Sequence, residues 1–171
     1  SNNGCSALLL AIQYCCEDSI KIVQLLINEG VNVNVQNKFG WTALMEIVCN
    51  MNIHNIIIMH MLLNSGVNVN TQQKDGFTAL MWAASNNNER MVDLLLYHNA
   101  NPFLHNADGD TAEDLADYSS RFSGLADKID KGAYYYLNKN TAKQSLALAN
   151  SRIPRLSDNT PLKYLDNDVF N

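Results

Sequence analysis

The string GFTALMWAA, Gly76 to Ala84, decides the reading, because GWTALMEIV, Gly40 to Val48, repeats it closely. GCSALLLAI (Gly4 to Ile12) and GDTAEDLAD (Gly109 to Asp117) are weaker copies. The leading glycines stand 36, 36 and 33 residues apart, and self-similarity at such a period marks a repeat array. A second string keeps the same phase: LLINEGVNVN (Leu25 to Asn34), LLNSGVNVN (Leu62 to Asn70), LLYHNANPF (Leu95 to Phe103) and KIDKGAYYY (Lys128 to Tyr136). Gly30, Gly66, Asn99 and Gly132 are thereby equivalent. The two strings lie three residues further apart in repeats one and two than in three and four. That places the extra residues between the helices, near Tyr14 to Asp18 and Asn50 to His54.

Each unit reads as turn, short helix, loop, longer helix and glycine stop. Thr78 offers an N-cap hydroxyl, and apolar residues follow it at helical spacing as far as Ala84. Over Glu89 to Tyr97, the residues Met91, Leu94 and Leu95, with the flanking Val92, form a wide apolar stripe. Gly66 or Asn99 then ends the helix, because the residue after a helix commonly needs a positive φ, cheap for glycine and next best for asparagine. Val31 to Asn34 and Val67 to Asn70 alternate with period two, as short extended arms. They lead into turns at Lys38-Phe39-Gly40 and Lys74-Asp75-Gly76, which makes a β-finger. Two amphipathic helices of this size cannot bury both apolar faces alone, so the units stack and share one elongated core.

These residues resemble the ankyrin repeat family, whose unit of about 33 residues carries a T-P-L-H-x-A motif. Repeats two and three match best, with Ala43 and Ala79 in place of proline and Met45 and Met81 in place of histidine. Repeat one has Ser6 for threonine and Leu9 at the histidine position. The resemblance implies an all-α repeat solenoid of helix-turn-helix units with β-fingers. Its repeats span 1–38, 39–74, 75–107 and 108–140, with a degenerate fifth unit or capping helix and a tail over 141–171. In repeat four Glu113 takes the place of a core leucine, as in a polar-faced terminal repeat. Gln144 to Ala149 falls in register with Thr111 to Ala116, and Pro154 stops any helix there.

The resemblance also implies a surface that binds another protein, made of finger tips and the concave face of the inner helices. The family's binding positions fall on Lys38, Phe39 and Trp41, on Lys74, Asp75 and Phe77, and on Ala107, Asp108 and Asp110. On the inner helices they fall on Gln13, Tyr14, Cys49, Asn50, Ser85 and Asn86. Trp41 and Phe77 are the favoured contacts, since that position projects from the finger and aromatics supply much of the binding energy of protein interfaces. Trp82 stands in a leucine slot and is expected in the core.

Composition narrows the function. With 171 residues, 47% of them apolar, the chain can bury a continuous core. A net charge of -5, with no basic excess before the C-terminal segment, argues against nucleic acid as partner. The longest apolar run, Ile56 to Leu63, is interrupted by His60 and falls short of the roughly 20 residues of a bilayer span. Ala7 to Ile12 has no basic segment before it and is not read as a signal peptide. Cys5, Cys15, Cys16 and Cys49 lack CxxC spacing and histidine companions, so they are read as free thiols of a reducing compartment.

His54 and His60 do not share a helix face, while His98 and His105 map to a helix end and a finger, so no metal site is expected. Asp108-Gly109-Asp110 is a turn rather than a calcium loop. Phosphate-loop, dinucleotide and nucleophile-elbow motifs are absent, which points to no cofactor and no enzyme. Abundant asparagine is read as the bias of an AT-rich genome, as in giant viruses or protists. Acidic residues dominate 108–130 and basic ones 131–155, read as a solvated polar cap followed by a solvated tail, with folding of the basic segment back over the acidic cap or the groove as the sharper alternative. The reading is a monomeric, intracellular, cytoplasmic, non-catalytic interaction module, and a host-directed adaptor in the host cytoplasm if viral. The alternative is a spacer segment of a longer solenoid.

Overall fold

The structure, a computed structural model, describes residues 6–13, 18–50, 55–118, 129–133, 136–137 and 139–140. Its helices are α1 (Ala7–Gln13), α2 (Ser19–Asn28), α3 (Ala43–Cys49), α4 (Asn55–Asn64), α5 (Ala79–Ser85), α6 (Glu89–Tyr97) and α7 (Ala112–Tyr118). Residues 129–133 are helical as well. The short helices form a row in which α3 packs on α1, α5 on α3 and α7 on α5. Behind them α2 packs on α1, α4 on α3 and α6 on α5, while α2 also meets α4. No strand is assigned among the described residues, so the chain is an all-α repeat solenoid. One apolar cluster runs through it from Leu8 and Ile12 past Leu44, Ile58, Leu62 and Leu80 to Leu95 and Ile129.

Every inner helix starts on a hydroxyl. The Oγ of Ser6 accepts from Leu9 N–H at 3.3 Å, and Thr42 Oγ1 accepts from Met45 N–H at 3.4 Å. Thr78 Oγ1 accepts from Met81 N–H at 3.2 Å, and Thr111 Oγ1 accepts from Asp114 N–H at 3.3 Å. Each bond satisfies one N–H that the first helical turn leaves without a partner. In repeat three the sulfur of Met81 accepts in return from Thr78 N–H at 3.4 Å. In repeat four the carboxylate of Asp114 takes that part at 2.8 Å, so methionine and aspartate both close a capping box here.

The outer helices stop as their sequence demands, with φ of 72° at Gly30, 81° at Gly66 and 64° at Asn99. Gly132 departs from this. It lies inside the helical stretch 129–133, and its backbone is not left-handed. A Cβ built on Gly132 would stand 2.6 Å from Leu96 Cδ1, so glycine there permits a close approach to α6 rather than a stop. The extra residues of repeats one and two are also divided differently from the expectation. Residues 50–54 connect α3 to α4 where only 86–88 connect α5 to α6, and α4 is 10 residues long against 9 for α6. In the shorter connection Asn86 closes α5, Asn87 turns at φ 52°, and Asn88 Oδ1 caps α6 by accepting from Met91 N–H at 3.2 Å.

The Val-Asn arms keep their period-two burial without forming strands: Val33, Val67 and Val69 are buried, and Asn32, Asn34 and Asn68 are exposed. Residues Ser1–Leu137 form one compact unit and Asn138–Asn171 a second. The fifth repeat and the tail concern 141–171, which lie outside the described residues, as does most of the basic segment 131–155.

Candidate functional site

Three fingers stand beside the inner helices, each tied by one amide side chain. Asn37 Oδ1 accepts from Phe39 N–H at 2.9 Å and Trp41 N–H at 3.0 Å. Gln73 Oε1 accepts from Asp75 N–H at 2.8 Å, and Asn106 Oδ1 accepts from Asp108 N–H at 3.0 Å and Asp110 N–H at 2.8 Å. Backbone bonds close the same loops, from Asn37 to Trp41, Gln73 to Phe77 and Asn106 to Asp110, each at 3.0 Å. The fingers also join to one another. Lys74 N–H donates to Phe39 O at 3.3 Å, and Ala107 N–H donates to Asp75 O at 2.8 Å. The contact is close: a Cβ on Gly40 or Gly76 would lie 2.9 Å from the Cα of Gln73 or Asn106.

Side-chain amides extend the ladder. Gln36 Nε2 donates to Gly40 O at 2.7 Å within its own finger and to Gln72 O at 3.2 Å in the next. Gln72 repeats the pattern, reaching Gly76 O at 2.7 Å and His105 O at 2.9 Å. Asn34 Oδ1 accepts from Asn68 N–H and Asn70 Oδ1 from Asn101 N–H, both at 2.6 Å. The abundant asparagine and glutamine in these arms is therefore structural, whatever the genome contributes. Sequence reading missed these residues, although their recurrence at equivalent repeat positions was a usable signal.

The expected contacts divide into distinct groups. Lys38, Phe39, Lys74, Asp75, Ala107 and Asp108 are exposed on the tips, and Phe39 keeps 56% of its surface in solvent. Lys38 Nζ sits 4.9 Å from the Phe39 ring centre, a cation–π contact. Asp110 is half-buried, its carboxylate 3.4 Å from Asn106 Nδ2. Trp41 and Phe77 do not project freely. Both are half-buried against Trp82, with ring centres 5.2 Å and 4.7 Å away, because the finger folds them down onto the inner helix. Trp82 is half-buried rather than fully in the core, and its buried Nε1–H has no hydrogen-bond partner among the described residues. Asn50 and Ser85 are exposed at the ends of α3 and α5, and Asn50 O accepts from the buried Asn55 Nδ2, which also reaches Ile47 O at 3.1 Å. Asn86 hydrogen-bonds Cys49. Tyr14 lies outside the described residues.

One hollow of about 330 Å³ gathers part of the set: Lys38, Phe39 and Trp41 with Asn37 from the finger, Leu9 and Gln13 from α1, and Glu46 from α3. Glu46 was not anticipated. It occupies the motif position filled by Leu10, Trp82 and Leu115 in the other repeats, and a lone acid among apolar equivalents was the signal. Burial raises its pKa above the ordinary glutamate value. Burial, and then the charge of Glu46, push the Cys49 thiol up to about 11, against a smaller pull from Asn86. That keeps Cys49 a thiol at neutral pH and a poor nucleophile.

On the outer helices Ile56, His60, Leu94 and Tyr97 line a second hollow with Arg90 and Asp93. His60 and His98 are close enough that, after burial, the charge of His60 further lowers the His98 pKa. The fold thus brings together two histidines that their repeat positions keep apart in sequence. Among the described residues no group of three His, Cys, Asp or Glu side chains is arranged to hold a metal ion. No helix there is long and apolar enough to cross a membrane. A family model described as ankyrin repeats, in 3 copies, matches residues 8–106. A comparison with curated proteins finds no match.

Proposed function

The chain belongs to the ankyrin repeat family, whose members are in general protein–protein interaction modules, and from that premise we propose that it docks a protein partner without catalysis. One observation carries the reading. Finger tips bearing Lys38, Phe39, Lys74, Asp75 and Asp108 are exposed on loops whose backbone is held by amide side chains and by neighbouring fingers. Loops fixed in advance lose little conformational freedom on binding, so more of the contact energy remains as affinity. Asn50, Ser85, Asn86 and the remaining finger positions Trp41, Phe77 and Asp110 border this surface in the proposed interface. The partner is a protein rather than nucleic acid or membrane, and the module works as a monomer inside the cell, where the free thiol of Cys49 is stable. If the source is a virus, the partner is a host protein in the host cytoplasm.

The test is a pull-down with three baits: wild type, Phe39→Ala with Lys74→Ala, and the outer-helix control Ile57→Ala. All substituted residues are exposed, so folding is expected to persist. Selective loss of the captured protein from the finger variant supports the reading, and equal capture by all three overturns it. A spacer segment of a longer array is the second reading, favoured by the partial exposure of Ile22 and Leu25 on α2. In that case the finger variant changes nothing.

A further inference from the structure

We propose that the hollow between the first finger, α1 and α3 is a seat for a cationic side chain of the partner, an arginine or a lysine. The inference rests on the protein-docking reading and gives that partner a chemistry. Glu46 enters the hollow from α3, with Trp41 and Phe39 on the finger side and Leu9 and Gln13 on the α1 side. Among the described residues its carboxylate has no hydrogen-bond or ion-pair partner, and it is half-buried. A carboxylate withdrawn from water without a counter-charge is costly, and a cation arriving with its own donors removes that cost. Aromatic faces add to the attraction, since ring quadrupoles draw cations, and a planar guanidinium can stack as well.

The hollow has room for one such group beside Glu46. Its space of about 330 Å³ is enough for one long side chain. Lys38 lines the rim, and its ammonium lies over the Phe39 ring, 4.9 Å from the centre. A cation bound beside Glu46 offsets the desolvation that raises its pKa, so binding and deprotonation of Glu46 are linked. Lys38 at the rim and Cys49 on the same helix are the other titratable groups near Glu46 among the described residues. The third finger tip carries the exposed Asp108, and the second carries Asp75 beside Lys74.

The experiment is an NMR titration of the full chain with a short neutral-ended peptide holding one central arginine. Identical peptides with citrulline or norleucine at the centre serve as probes of shape without charge. The chain has two tryptophans, and the Trp41 indole N–H together with the Glu46 amide reports on the hollow. Saturable shifts of these signals are expected with arginine, at least tenfold weaker with citrulline, and at least tenfold weaker for arginine on Glu46→Gln. Arginine binding should strengthen as pH rises through the Glu46 titration, and this dependence should vanish in Glu46→Gln. Equal affinity for arginine and citrulline, full affinity in Glu46→Gln, or shifts confined to His60 and Tyr97 overturn the proposal. Failure here leaves the docking reading standing if Phe39→Ala with Lys74→Ala still loses the captured protein. Failure of that pull-down, with arginine binding intact, overturns the docking reading instead.

Discussion

Ile22 of α2 is 43% exposed, whereas its equivalents Ile58 of α4 and Met91 of α6 are 0% and 3% exposed. Leu26 is half-buried where Leu62 and Leu95 are sealed, and Ala7 is exposed where Ala43 and Ala79 are buried. The residue types are alike, and so are the helices. What differs is the surroundings: α4 packs on α2 as well as on α3, and α6 packs on an α5 that is itself held between α3 and α7. Burial in this molecule is thus conferred largely by the adjacent repeat, and stability is a sum of unit terms and interface terms.

The largest test of that comparison is to truncate one leucine at a time. Leu62→Ala and Leu95→Ala are each expected to cost about 2–5 kcal/mol in chemical denaturation, as fully buried leucines do. Leu26→Ala should cost roughly half as much or less, because part of its surface is already wet. Equal losses at all three would break the comparison.

A second test separates neighbour effects from local ones. Gly66→Ala and Gly30→Ala meet no atom within 4 Å, so each should cost only the left-handed backbone penalty of about 1–2 kcal/mol, the same in both repeats. Gly76→Ala combines that penalty with a Cβ 2.9 Å from Asn106 Cα, and should fall clearly below both in melting temperature. Caps are local too. Ser6→Ala, Thr42→Ala and Thr78→Ala are expected to lose about 1 kcal/mol each in the same denaturation assay, with no advantage to the inner repeats.

The smallest expected effect lies in the hollow. Because the folded-state pKa of Glu46 is raised above its unfolded value, the native chain holds a proton that the unfolded chain has released. Stability therefore declines as pH rises from the ordinary value of 4.5 through the raised one. Glu46→Gln should match wild type in melting temperature at about pH 4 and exceed it at about pH 7. A pH-independent gap would show that the substitution acts through shape alone.

Much of this was legible beforehand, for stated reasons. The hydroxyl caps, the span of α6 and the left-handed stops at Gly30, Gly66 and Asn99 follow from local backbone chemistry, which sequence carries directly. Gly132 misled because glycine serves two needs, a positive φ and a close approach, and spacing cannot tell them apart. Trp41 and Phe77 sit on the finger loops, but the 36-residue offset does not reveal that both rings meet Trp82 between them. Glu46 and the asparagine and glutamine braces needed side-chain directions across repeats, which only the stacked structure supplies.

Gln36 and Gln72 each hold two fingers through a single NH₂ group, one hydrogen for the home loop and one for the next. The three loops consequently behave like the teeth of a comb cut from one piece. A visitor is measured against a preset pitch, and a sequence with suitable groups at the wrong intervals gains little from matching any single tooth.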